Sequence, residues 1–299
     1  MTSRRKFLKT TAAGAAALTL PAWTDVALAQ AKLPTRPIPG TDELLPVIGL
    51  GNSRVFREGD MAASLGLIRT FHERGGGYID CMGLSRFVVS EVVKQMNAGR
   101  DLFLGTYFMD EEEPVMRENI KRILEITGKS QLDLVHAYPE FAIQNWDMFR
   151  RWKDEGLTRH IGISRHNKEY YEDMMSLMET DTVDFIQVNY SPLEREAEER
   201  ILPMAMDKGI AVNINRPFIN GDYFSLVRGH ELPEWASEFN AVSWAQLSLK
   251  FILSHPAVNC VLTETANPDH LLDNIGGGFG AMPDTETRER IFAHLKSLQ

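Results

Sequence analysis

Eight short apolar, β-branched runs recur along the chain, and helix-like stretches lie between them. The runs are PVIGLG (46–51), GYIDCM (77–82), LFLGTY (102–107), LDLVHAY (132–138), HIGIS (160–164), FIQVNY (185–190), IAVNINR (210–216) and VNCVLT (258–263). The intervening stretches include MAASLGLIRTFHERG, PVMRENIKRILEITG, NWDMFRRWKDEG, KEYYEDMMSLME and EAEERILPMAMDKG. Several of these end in glycine, as expected just past a helix C-terminus. Strands separated by helices imply parallel βαβ units. Eight such units in roughly 250 residues predict an α/β fold with a single closed (β/α)8 TIM barrel rather than an open doubly wound sheet. No G-x-G-x-x-G follows a strand, and GGGF at 276–279 reads as a loop.

The first 30 residues, MTSRRKFLKTTAAGAAALTLPAWTDVALAQ, follow another pattern. Arg4 and Arg5 precede Phe7, Leu8 and Lys9, a mildly apolar run covers 12–20, and Ala27-Leu28-Ala29 offers a small-x-small cleavage site. The segment resembles a twin-arginine (Tat) export signal. The resemblance implies a signal peptide over 1–29, a barrel over 30–299, the Tat translocase as partner during export, and a periplasmic protein exported already folded. No later run reaches the roughly 20 apolar residues of a membrane span, so the mature chain is expected to be soluble.

Charge and cysteine content sharpen this. Four basic residues and one acid give the signal +3, so a total of −9 leaves about −12 on the mature chain. Such a surface argues against nucleic acid or anionic membrane as partners. The two cysteines, Cys81 and Cys260, fall on the second and eighth strands with the first between them. Neighbouring strands lie ~4.8 Å apart, which places these Cα atoms ~9–10 Å apart, beyond the ~7 Å limit of a disulfide. Two free thiols are expected. Neither the cysteines nor the histidines have metal-ligand spacing, so no metal site is expected. The DEEEP run at 110–114 reads as a solvated helix start, where acids suit the dipole, and EREAEER at 194–200 as a charged helix face.

In a barrel of this kind chemistry sits at the C-terminal ends of the strands. Those ends carry Asn52 and Arg54, Asp80, Tyr107, His136, Ser164 with Arg165 and His166, Gln187 with Asn189 and Tyr190, Asn215 with Arg216, and Thr263 with Glu264. The series resembles the aldo-keto reductases across nearly the whole mature chain. VIGLGNSRVF looks like the family's opening strand, GGGYIDCM…SEVV its Asp-bearing strand, and LDLVHAY its His strand. IGIS, DFIQVNYSPLER and ILSHPAVNCVLTETANPDHLLDN are similar to the strands that follow.

The resemblance implies an NAD(P)-dependent oxidoreductase acting on a small carbonyl or alcohol, with a catalytic Asp, Tyr, Lys and His. Asp80 fits the Asp and His136 the His. In CMGLSRFVVSE the Tyr position falls on Ser85 or Phe87, and Tyr107 stands at the Lys position. Three readings of Tyr107 stay open. It is a relocated proton donor, a wall of a ligand pocket, or a ring filling the space of the Lys. Under each, a buried Asp80 needs a hydrogen bond, which favours contact with Tyr107. For the cofactor, Ser164 and Gln187 match residues that take the nicotinamide carboxamide, and Arg165 stands where Asn is usual. Arg216 offers a guanidinium to the pyrophosphate, and Thr265, His270 and Asn274 keep the pattern of the last cofactor-binding turn. Asn215 replaces a stacking aromatic, and Glu264 sets a carboxylate where a phosphate would lie. The alternatives are a non-catalytic or repurposed barrel binding a small ligand or protein partner, and a lyase or isomerase using Asp80 and His136 as acid and base.

Overall fold

A computed structural model describes residues 31–109 and 112–299. The expected signal, residues 1–29, and the first two acids of the DEEEP run lie outside the described residues. The strands are β1 Thr35–Pro37, β2 Leu44–Pro46, β3 Ile48–Leu50, β4 Tyr78–Cys81, β5 Phe103–Tyr107, β6 Leu132–Ala137, β7 Thr158–Ser164, β8 Phe185–Asn189, β9 Ala211–Asn215 and β10 Val258–Thr263. Strands β3 to β10 coincide with the eight apolar runs. They pair in parallel in chain order, and β10 returns to β3 to close the barrel. The (β/α)8 fold expected from the pattern is the one observed.

Side chains alternate across each strand, so the barrel has two apolar layers. Inward-facing Tyr78, Phe103, Leu134, Phe185, Ala211, Cys260 and Leu262 form an interior core with Ile38 and Leu45. Outward-facing residues such as Ile79, Val135, Ile186 and Val212 pack with Leu67, Phe71, Phe149 and Trp152 of the surrounding helices. Fully burying one such side chain is worth roughly 1.5–3 kcal/mol. Ile38 and Leu45 belong to an antiparallel hairpin of β1 and β2, which the hydrophobic pattern did not reveal. Arg36 of β1 donates to the carbonyls of Leu253, at 2.6 Å, and Val258. Glu43, beside β2, pairs with Arg159 of β7.

Local signals set the helices. Asp60 caps Met61–Glu73 by accepting from the Ala63 N–H at 3.0 Å. Gly128 and Gly209 end Glu113–Thr127 and Ile201–Lys208 with φ of 70° and 65°. Cys260 belongs to the interior core and Cys81 to the outer one, so the two free thiols face opposite sides of the sheet. The acidic stretch 194–200 contains the short 3-10 turn Glu196–Glu198, whose Glu198 turns inward to Arg288 and Arg195. Among the described residues no helix is long and apolar enough to cross a membrane.

Candidate active site

The strand ends open into a cavity of about 620 Å3. Its buried members with polar groups are Asp80, Tyr107, Ser164 and Gln187, from β4, β5, β7 and β8. Asn52, His166, Asn215, Arg216 and Glu264 surround them, with Met82, Tyr138, Phe218 and Phe224 as apolar wall. Strand register sets Asp80 opposite Gly105, two residues before Tyr107, with Tyr107 opposite His136 and Ser164 opposite Gln187.

Asp80 is the centre of a buried network. Its Oδ2 accepts from the Tyr107 hydroxyl at 3.0 Å and from Gln187 Nε2 at a longer 3.4 Å. Its Oδ1 accepts from the Tyr78 hydroxyl at 3.3 Å, and Asn213 Nδ2 donates to that hydroxyl at 3.1 Å. Ser164 Oγ lies 3.2 Å from the Tyr107 hydroxyl. With the Tyr107 proton given to Asp80, Ser164 is the donor in that contact. Burial pushes the Asp80 carboxyl up to about 6, against the opposing pull of the three donors. Burial, and then the charge of Asp80, push the Tyr107 phenol well above its ordinary range. The site is thus a protonated phenol against a carboxylate that titrates in mildly acidic water.

His136 stands on β6 opposite Tyr107. It has no exposure, and its ring stands 5.2 Å from that of Tyr107 at 31°. Neither ring nitrogen has a hydrogen-bond partner among the described residues, and burial lowers its pKa to about 3. The imidazole is neutral and does not line the cavity. Arg165 is also engaged elsewhere. Its guanidinium sits 4.0 Å from the Tyr138 ring centroid and 4.2 Å from that of Tyr170, and pairs with Glu140. Arg216, at φ 50°, reaches the His166 carbonyl at 2.9 Å and Asn220 Oδ1 at 3.2 Å. Thr265, His270 and Asn274 lie outside the cavity lining. Thr265 Oγ1 accepts from the Asn267 N–H at 3.1 Å in the turn that leads into helix Pro268–Gly276, His270 is exposed in that helix, and Asn274 is buried in it. Glu264 faces Arg57 across 3.4 Å at the cavity edge.

Residues 47–288 match the aldo/keto reductase family. The chain belongs to that family. Residues 1–21 match the signal sequence of the twin-arginine translocation pathway, which directs export across the cytoplasmic membrane. An aldo-keto reductase from Bacillus halodurans, in its holo form, superposes with a TM-score of 0.68 at 21% identity, over 89% of this chain and 96% of that one. A Klebsiella pneumoniae aldo-keto reductase in complex with NADPH gives 0.68 at 18% identity, over 90% and 95%. At that identity the likeness establishes the fold alone. The NADH-specific methylglyoxal reductase of Escherichia coli (strain K12) is 26% identical over 113 residues, which are 36% of this chain and 34% of that protein.

Within this aldo/keto reductase barrel, the sequence reading missed the second phenol on Asp80. Tyr78 stands two residues before Asp80 on β4, and that spacing puts both on one face of a strand. Asn213 bears the same relation to Asn215 on β9. Arg86 lies in the helix Ser85–Gln95 that follows β4. It donates to the Tyr107 carbonyl at 3.0 Å, with its guanidinium 4.7 Å from the Phe108 ring centroid, and so anchors the end of β5.

Proposed function

We propose that the chain is an exported, NAD(P)-linked oxidoreductase that interconverts a small alcohol and its carbonyl compound, working in the periplasm after loss of residues 1–29. The observation that carries this reading is the Tyr107 hydroxyl in the cavity, 3.0 Å from Asp80 and 3.2 Å from Ser164. The residues present fit a nicotinamide nucleotide. Gln187 is 5% exposed, and its Oε1 has no hydrogen-bond partner among the described residues. It offers an acceptor to a carboxamide beside the Ser164 hydroxyl. Arg216 supplies the cation for a pyrophosphate. Thr265, His270 and Asn274 stand at and within helix Pro268–Gly276 for the far end of the nucleotide. The Glu264 carboxylate disfavours an added phosphate near it, which favours NADH. Bound, the nucleotide gives or takes the hydride.

The protein moves the proton. With Asp80 ionised, the Tyr107 proton is held by the carboxylate, and the pair accepts a proton: the alcohol hydroxyl gives its proton to Tyr107 as Tyr107 passes its own to Asp80. With Asp80 protonated the flow reverses, and Tyr107 protonates the carbonyl oxygen as Asp80 restores the phenol. Oxidation therefore rises through pH about 6, and reduction falls through it.

The test uses protein exported by its own signal and purified without added nucleotide. Denaturation should release NAD(P), detected by mass spectrometry, and Tyr107→Phe should lower turnover roughly 100- to 10,000-fold with nucleotide affinity unchanged. No released nucleotide, and no binding up to millimolar concentration, would sink the reading. A second reading, a barrel that binds a small ligand without turnover, draws on one observation. The phenol faces a carboxylate rather than a cation, and this opposes ionisation of Tyr107.

A further inference from the structure

We infer that Tyr78 and Asn213, neither of which reaches the cavity, are positioning residues for this proton exchange, holding the Asp80 carboxyl from the side opposite Tyr107. The inference rests on the proton-carrying role proposed above for Asp80 and Tyr107. Tyr107 and Gln187 both bond Oδ2, and Tyr78 bonds Oδ1. The carboxyl is therefore gripped on both oxygens, and losing Tyr78 leaves Oδ1, on a side chain only 4% exposed, without its donor. Asn213 directs the grip. By donating to the Tyr78 oxygen at 3.1 Å it occupies the phenol's acceptor side and leaves the phenol's proton for Asp80.

Packing does not demand either polar group. The Tyr78 ring lies in the apolar interior, edge-on to Phe103 at 5.2 Å and 87°, where a phenylalanine would fill the same space. Asn213 has no exposure, and its Oδ1 has no partner among the described residues, a costly placement for an amide with no purpose beyond its one bond. The barrel also makes room for the contact. A Cβ on Gly105 would lie 2.5 Å from Asp80 Oδ1 and 2.8 Å from the Tyr78 hydroxyl, so only glycine lets the two meet across β5.

The titratable groups acting on Asp80 are Tyr107 of β5, Tyr78 of its own strand and Glu264 after β10, and the Asp80 charge in turn raises Cys81 of its own strand, Tyr138 after β6 and Cys260 of β10. Of these, Tyr78 and Tyr107 donate hydrogen bonds to it. A donor to the ionised form lowers a carboxyl's proton affinity, so removing the Tyr78 hydroxyl should raise it.

The experiment titrates Asp80 directly, by carbon-13 NMR of aspartate carboxyls in the purified exported protein without nucleotide, with Asp80→Asn to assign the signal. Tyr78→Phe and Tyr78→Phe/Asn213→Leu are compared with the native chain. The double variant removes the amide that the single one strands, so the comparison survives poor folding of the single variant. Both should raise the Asp80 midpoint by about one pH unit, and the midpoint of the pH–rate profile should move with it. A midpoint that stays or falls in a protein that turns over overturns the inference alone. A raised midpoint in a protein without turnover overturns the oxidoreductase reading and leaves Tyr78 and Asn213 in control of the carboxyl.

Discussion

Replacing Asp80 by asparagine should stabilise the protein at neutral pH. Asp80 is 4% exposed, and burial raises its carboxyl from 3.8 to about 6. The folded state therefore holds this proton more tightly than the unfolded one. The contribution of Asp80 to stability is largest below pH 4, falls as pH rises from about 4 to about 6, and stays reduced above. At roughly 1.36 kcal/mol per pH unit, the loss is about 3 kcal/mol. His136 works in the opposite sense. Its pKa is lowered from 6.5 to about 3, so the unfolded state takes a proton that the folded state refuses, and stability is lost as pH falls through that range. Between pH 4 and 6 the two slopes nearly cancel in the native protein.

Asparagine keeps an acceptor for Tyr107 and carries no charge at any pH. In Asp80→Asn the His136 slope is no longer opposed by Asp80, and the His136 contribution should fall by about 1.4 kcal/mol for each unit the pH drops from 6 to 4. The variant-minus-native difference isolates Asp80 from every other titrating group, and it should grow by about 3 kcal/mol between pH 4 and pH 7. Urea unfolding at half-unit steps, followed by tryptophan fluorescence, measures it. Parallel stability curves for the two proteins would refute the claim that Asp80 is buried as a strained carboxylate.

Two further outcomes follow from the same contacts. His136→Leu should remove the acid-side loss, so that stability at pH 4 relative to pH 7 improves by about 3 kcal/mol over native; an unchanged acid limb in the same titration would mean that His136 is solvated. Gly105→Ala should cost about 1–3 kcal/mol by overpacking and lower turnover together with it, since the new methyl meets Asp80 and Tyr78 at once; thermal melting and steady-state kinetics check the pair, and a variant of native stability would contradict the close approach.

The barrel was legible because each of β3 to β10 is a continuous apolar run bounded by helix signals, and a strand buried on both faces needs no finer pattern. The hairpin was not. β1 and β2 are three residues each, with prolines at 37 and 46 and no alternation long enough to register. The Asp80–Tyr107 contact could be argued from sequence, because a buried carboxylate at a strand end requires a donor. Arg165 and His136 show the limit of reading strand ends. What engages Arg165 is two rings and a carboxylate from other elements, and what covers His136 is the Tyr107 ring across the β5–β6 register. Both are tertiary facts with no local signature. Tyr78 did have one, its two-residue spacing from Asp80, but a tyrosine in an apolar strand reads first as core.

What stands beside Asp80 decides which chemistry the pair performs. An ammonium at position 107 would hold Asp80 ionised at every working pH, making a fixed charge pair. Neutral donors do not offset its burial, so the carboxyl titrates near 6 and can carry a proton. Tyr107→Lys separates the two regimes. It should drop the Asp80 midpoint from about 6 to below 3.8, and the stability contribution of Asp80 should change sign, being present at neutral pH and lost as acid protonates the carboxylate. Turnover should not return, because 82–87 supplies no tyrosine to replace the phenol. The carboxyl titration and the urea series read both effects, and an Asp80 midpoint that stays near 6 beside the new lysine would show that burial alone, and not the neutrality of its partners, governs the site.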